Sequence, residues 1–143
     1  MSGPPAFRAE APVPYNIGVT HQIDQWLAPF GLAEFLRGHV VAVLADLPPE
    51  VLQDLMGDPA FVMYDYEPGV MMHVPMRLSS RGPARTVVLK RTLRRRPEPF
   101  NRWLVAHELA HAFLRHGLRP ADNDEAAADA LAAAWGFPRP AAA

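Results

Sequence analysis

Apolar residues recur with helical spacing in the first part of the chain. Between residues 20 and 36 they fall at about every third or fourth position, which is typical of a helix packed on one side. Pro29 must kink or divide this run. Residues 40–44 form a short β-branched run that could be a strand or the end of the same helical region. Residues 48–50 and Gly57 mark the start and end of a short helix. Its apolar face would be formed by Val51, Leu52, Leu55 and Met56.

Three other short runs are rich in β-branched and aromatic residues and predict strands. Residues 61–66 and 70–75 flank a Glu-Pro-Gly turn, so this pair predicts a hairpin. Residues 85–89 are the clearest strand, because a Gly-Pro turn precedes an unbroken apolar core.

The C-terminal part of the chain predicts two helices. Residues 100–116 contain no proline or glycine and are apolar on most sides, which is typical of a helix buried in the middle of a fold. Gly117 stands where a C-cap belongs. A second helix over residues 122–135 begins with acidic side chains and is stopped by Gly136 and Pro138. Because the connection is short, the two helices should run antiparallel.

The composition indicates one globular domain. The chain has 143 residues, of which half are hydrophobic and a fifth are charged, with a net charge of −1. We expect a flexible arm at 1–14, a single domain at 15–139 and a frayed tail at 140–143. A net charge this small gives no electrostatic field that would favour binding to nucleic acid or to an anionic membrane. No signal peptide and no membrane-spanning segment is expected. The absence of cysteine fits a cytoplasmic protein and leaves His, Asp and Glu as metal ligands. Thirteen arginines against one lysine suggest a GC-rich bacterial genome.

The buried helix carries the pattern His-Glu-x-x-His. His107 and His111 project from one helix face, one turn apart, so both imidazoles can bind one tetrahedral zinc ion. Glu108 is then directed at the open coordination position. It can take a proton from zinc-bound water and pass it to a leaving amine. The alternative is a pair of core histidines bonded to the backbone.

Two carboxylates on the second helix lie at suitable depths for this site. At a rise of about 1.5 Å per residue, Glu125 should lie level with His111, and Asp129 should lie closer to His107. Glu125 can therefore be the third ligand, while Asp129 can hold the far ring nitrogen of His107. The reverse assignment, with Asp129 as ligand, stays open. Each could also be a helix-dipole or solvated surface residue.

Other polar residues are weaker candidates. His116 follows His111 by five positions, and on a continuing helix it would be rotated well away from the metal face. We expect it to be a helix C-terminal or surface residue. The oxygen of a tetrahedral intermediate could be polarised from the hairpin. The candidates there are Tyr64, Tyr66 and His73.

From strand to second helix, the chain resembles the ImmA/IrrE-type metallopeptidases, small gluzincin-like proteins of bacteria and phages. The resemblance covers roughly residues 85–137. It is carried by the strand, the basic stretch after it, His107-Glu108-Leu109-Ala110-His111, and Glu125-x-x-Ala128-Asp129. It implies an α+β, zincin-like fold: a small mixed β-sheet packed on the buried motif helix, with a second, antiparallel C-terminal helix. It also implies His107, His111 and Glu125 as ligands and Glu108 as general base.

We therefore expect a cytoplasmic zinc metallopeptidase that hydrolyses peptide bonds of a protein substrate. Family members often cut or antagonise a repressor, which implies a regulatory protein as partner. The alternative is an inactive zincin-fold protein that acts as a binding or regulatory module. A third hypothesis uses the Arg94–Arg96 patch, within the basic stretch of residues 90–102, for nucleic acid. A solvated loop is favoured there, and no aromatic residues interleave the charges in the way that would favour single-strand binding. No membrane partner is expected.

Overall fold

The computed structural model describes residues 15–67, 78–79, 82–83, 85–116 and 121–141. The elements in chain order are α1 (Tyr15–Leu27), a 3₁₀ turn (Ala28–Phe30), α2 (Glu34–Ala45), α3 (Pro49–Met56), β1 (Val62–Tyr66), β2 (Leu78–Ser79), β3 (Gly82–Pro83), β4 (Thr86–Lys90), a second 3₁₀ turn (Arg91–Arg95), α4 (Glu98–Phe113) and α5 (Asp122–Ala134). The fold class is α+β, as predicted. Within these ranges, no helix is both long and apolar enough to cross a membrane. The predicted arm at 1–14 lies outside the described residues.

The prediction that Pro29 divides the first helical run is confirmed. Pro29 lies in the 3₁₀ turn, and Gly31 closes that turn at φ 67°, a left-handed conformation that glycine adopts without steric cost. Residues 40–44 are the last turns of α2 and not a strand. The short helix α3 begins at Pro49 and is followed by Gly57, as its sequence predicts.

The strand pairing differs from the prediction. β1 pairs with β4 in parallel, with Val62 opposite Thr86. β2 and β3 form a separate antiparallel pair of two residues each. Among the described residues there are thus two small ladders and not one mixed sheet. About twenty residues separate β1 from β4, which is enough for the crossover that parallel pairing requires. The hairpin partner of β1 predicted at 70–75 lies outside the described residues.

Helix α4 occupies the centre of the fold, as its apolar surface predicts. It packs against α2, α3, α5 and β4. Leu109 and Ala110 are fully buried, and the two histidines of the motif are also buried. The helix ends at Phe113, however, three residues before the predicted end at His116.

Helix α5 returns beside α4 in the antiparallel direction. Trp103 near the start of α4 contacts Asp129, whereas His111 near its end contacts Glu125. Ala128 and Ala132 of α5 are fully buried. These small side chains let the two helices approach closely, which is why an alanine-rich segment can complete a polar site.

Candidate metal centre

Three side chains from α4 and α5 converge on one point. The Nε2 atoms of His107 and His111 are 3.1 Å apart. Both face the same oxygen of Glu125, Oε1, at 2.9 and 2.7 Å respectively. The two histidines lie one turn apart on α4, and Glu125 lies in the first turn of α5. Because the candidate ligand atoms all lie within 4.8 Å of one another, this group could hold a metal ion.

The spacing of these atoms suits a small tetrahedral cation. Ligand distances of about 2.0–2.1 Å from zinc, at tetrahedral angles, put two ligand atoms about 3.3 Å apart. The separations of 2.7 to 3.1 Å are a few tenths of an ångström shorter. A small rotation of the Glu125 side chain would open its two separations from the histidines to that spacing, and the distance between the two Nε2 atoms is already close to it. Three protein ligands also leave a fourth position for water, the pattern of catalytic zinc sites.

His107 has a carboxylate oxygen at each ring nitrogen. Glu125 faces Nε2, and Asp129 Oδ1 lies 2.9 Å from Nδ1. A neutral imidazole carries one N–H and can donate to only one of these acceptors. A cation at Nε2 removes the conflict, because Nδ1–H can then donate to Asp129. The same oxygen of Asp129 also accepts the indole N–H of Trp103 at 3.1 Å. Asp129 therefore lies behind His107, on the side away from the shared point.

Glu108 lies beside the histidines in an environment that alters its acidity. Burial raises its pKa, while the nearby charges of His107 and His111 lower it and that of Glu125 raises it, so that the net shift is upward. A carboxylate with a raised pKa is a stronger proton acceptor than an ordinary glutamate. At this position Glu108 could accept a proton from a group bound beside the two histidines.

The site is closed on the α4 side and open on the α5 side. The side chains of His107 and His111 are only 10% and 9% exposed, whereas that of Glu125 is 52% exposed. Although burial acts to raise the pKa of Glu125, the hydrogen bonds to His111 and His107 lower it overall. Glu125 is therefore ionised at neutral pH, the state in which a carboxylate binds a cation.

The position of His116 differs from the sequence-based expectation. His116 is half-buried, and its Nδ1 lies 2.8 Å from Nδ1 of His111. Helix α4 ends in a Schellman motif: Arg115 adopts φ 61°, its N–H donates to Ala112, and the N–H of His116 donates to the carbonyl of His111. Because this turn reverses the chain, His116 comes back over the site and does not continue around the helix.

Sequence reasoning therefore placed five residues at this centre and missed three that support it. His107, His111, Glu108, Glu125 and Asp129 are brought together. Trp103 donates to Asp129, Nδ1 of His116 lies beside Nδ1 of His111, and Oδ1 of Asp124 lies 3.4 Å from Nε2 of His116. Trp103 precedes His107 by one helical turn, and this spacing is the one feature of the sequence that indicates that Trp103 lies on the same helix face as the site. Among the weaker candidates, Tyr64 and Tyr66 are half-buried in β1, and His73 lies outside the described residues. Comparison with protein-family models, curated proteins and solved structures found no match to this chain.

Proposed function

We propose that this protein is a zinc-dependent metallopeptidase with a zincin-like core, in which His107, His111 and Glu125 hold the metal and Glu108 is the general base. One observation carries the proposal: two buried imidazoles and one ionised carboxylate present three ligand atoms to a common point, next to a carboxylate of raised pKa. Each supplies a function that peptide hydrolysis requires. The resemblance of the surrounding sequence to ImmA/IrrE-type metallopeptidases supports the same activity.

Each side chain has a distinct task in this reaction. A bound zinc ion supplies Lewis-acid chemistry, which polarises a peptide carbonyl and makes water more acidic. Glu108 accepts a proton from the attacking water and delivers it to the departing amine. Asp129 accepts Nδ1–H of His107 and so fixes the tautomer that leaves Nε2 free as a ligand. The exposed side of Glu125 is where an extended substrate can approach.

A protein substrate is favoured over nucleic acid because the basic stretch is largely engaged by neighbouring side chains. In the described part of the chain, four of its six basic residues have a partner. These are Arg91 with Asp65, Arg94 with Glu67, Arg102 with Glu98, and Arg96 over the ring of Phe100. Such pairing lowers the positive electrostatic potential that would attract the phosphate groups of a nucleic acid. It supports the solvated-loop interpretation of this segment.

The deciding experiment combines metal analysis with a cleavage assay. Purified protein is loaded with zinc, and its cleavage of a random peptide library is followed by mass spectrometry. Glu108→Gln should retain zinc at the wild-type stoichiometry and lose at least about a hundredfold in cleavage rate. Glu98→Gln is the matched control, since it changes an exposed glutamate on the same helix and should leave both properties unchanged.

The outcomes separate the competing functions. Undiminished cleavage by Glu108→Gln would remove the general-base role. Stoichiometric zinc without cleavage by the wild type would favour the inactive binding module, and chelation should then lower the melting temperature markedly. Failure of the wild type to bind zinc at all would overturn the metallopeptidase proposal.

A further inference from the structure

Both ligand histidines have their far ring nitrogen engaged, but in different ways. At His107 the partner is the carboxylate of Asp129. At His111 the partner is a third imidazole, that of His116, with the two Nδ1 atoms 2.8 Å apart. Nε2 of His116 lies in turn 3.4 Å from Oδ1 of Asp124.

We infer that His116 and Asp124 are positioning residues for the metal centre, forming a chain His111–His116–Asp124 that fixes the tautomer and orientation of His111. This inference rests on the proposed metal site, but not on peptidase activity. It assigns a role to a residue pair outside the three candidate ligands and the general base.

The direction of the hydrogen bonds follows from the proton count. Two Nδ1 atoms at 2.8 Å form a hydrogen bond only if one carries a proton and the other presents a lone pair. Metal coordination at Nε2 of His111 uses that lone pair, so the proton of His111 must lie on Nδ1. His116 then accepts at Nδ1 and carries its own proton on Nε2, which faces the negative charge of Asp124 at 3.4 Å.

Hydrogen bonds with the main chain hold the series His111–His116–Asp124 in place at both of its ends. The Schellman motif joins His116 to His111 through a main-chain hydrogen bond of 3.0 Å in addition to the side-chain contact. The second oxygen of Asp124 accepts the N–H of Ala121 at 3.1 Å, directly before α5. The carboxylate of Asp124 therefore caps α5 and is also the last member of the series His111–His116–Asp124. The side chain of His116 is 14% exposed, which protects its hydrogen bond with His111 from competition with water.

The test measures zinc affinity by competition with a chromophoric chelator. Loss of a residue that orients a metal-binding histidine typically costs about ten- to a hundredfold in affinity. We expect this loss for His116→Ala. In His116→Asn an amide oxygen can replace the Nδ1 acceptor, so most of the affinity should return. His21→Ala is the matched control, since His21 is an exposed histidine on α1, and it should bind zinc as the wild type does.

A second measurement needs no variant and does not depend on how the substituted proteins fold. In the zinc-loaded wild type, two-bond ¹H–¹⁵N correlation spectra should show His111 protonated at Nδ1 and His116 protonated at Nε2. Protonation of His116 at Nδ1, or equal zinc affinity of His116→Ala and the wild type, would overturn the inference while leaving the metallopeptidase proposal intact. A wild-type protein without zinc affinity would overturn both.

Discussion

Replacement of Asp129 tests how the site is held together when no metal is bound. When the proton of His107 lies on Nδ1, one oxygen of this carboxylate accepts two hydrogen bonds, from the Trp103 indole at 3.1 Å and from the His107 imidazole at 2.9 Å. Asp129→Ala leaves both donors without their acceptor, and Trp103 and His107 are buried. The variant should therefore lose stability even in chelator, as well as binding zinc more weakly.

The magnitude follows from the number of bonds and from the exposure of the group. A hydrogen bond with one charged partner contributes about 1.5–3 kcal/mol, which puts the upper limit for two bonds at about 6 kcal/mol. The Asp129 side chain is 35% exposed, so water can reach the vacated space and replace part of each bond. We expect a loss of about 2–3 kcal/mol in the free energy of unfolding. Asp129→Asn keeps an oxygen acceptor and should lose about 1 kcal/mol.

The assay is urea unfolding in chelator, followed by zinc competition on the same proteins. Asp122→Ala is the control, because Asp122 is an exposed residue in the first turn of the same helix and should lose only about 0.3–1 kcal/mol through the helix dipole. If Asp129→Ala were no less stable than this control, the two hydrogen bonds would not hold the site. If zinc affinity disappeared in Asp129→Ala but survived in Glu125→Ala, Asp129 and not Glu125 would be the third ligand.

Two further predictions concern the packing around the site. Arg85 has a side chain that is 8% exposed, pairs with Asp54 and Asp58 at 2.7 Å and donates to the carbonyl of Ala112 at the end of α4. Arg85→Met should lose about 3 kcal/mol at pH 7, because the half-buried carboxylate of Asp58 loses its cationic partner and that of Asp54 keeps only the more exposed Arg115. Burial acts to raise the pKa of each carboxyl, but hydrogen bonds, including those from Arg85, lower it overall below 3.8. The two ionised carboxylates therefore stabilise the folded protein above about pH 3.8, and this stabilisation is lost as the pH falls further. Urea unfolding across this range should show that the free energy of unfolding falls less steeply with decreasing pH in Arg85→Met than in the wild type. At Arg115, the glycine variant should be about 1 kcal/mol more stable than the alanine variant, because only alanine pays the steric cost of φ 61°; equal melting temperatures would contradict this.

Local signals in the sequence located most of the helices. Pro29 acts through its fixed φ and its missing N–H, so its effect can be predicted without knowledge of the fold. Gly136 also acts through its own backbone: it adopts φ 100° and closes α5 with the pair of main-chain bonds typical of a Schellman motif.

The end of α4 has the same motif but could not be read from the sequence. There the left-handed position is occupied by Arg115, a residue that ordinarily avoids this conformation. Its guanidinium pairs with Asp54 of α3 at 3.1 Å, so tertiary contacts and not local propensity accompany this turn. The error in the helix end and the error in the placement of His116 have this one cause.

The strand pairing was unreadable for a related reason. The sequences of β1 and β4 predict extended conformation, but the partner of each strand depends on contacts between distant parts of the chain. The parallel register of Val62 with Thr86 joins strands that are more than twenty positions apart in the sequence. The neighbouring runs also predict a hairpin between residues 61–66 and 70–75, whose second strand lies outside the described residues.

The candidate metal centre was more predictable than the sheet because it depends on short distances along the chain. Its candidate ligands come from two consecutive helices, and their depths follow from helical rise and the direction of return. The residues before α4 contribute by packing around that helix, where Leu36, Val40 and Leu44 of α2 are fully buried. Damage to that packing should therefore reduce the folded fraction without altering the zinc affinity of the molecules that remain folded. A change in their intrinsic affinity would instead show that the distant core also sets the geometry between α4 and α5.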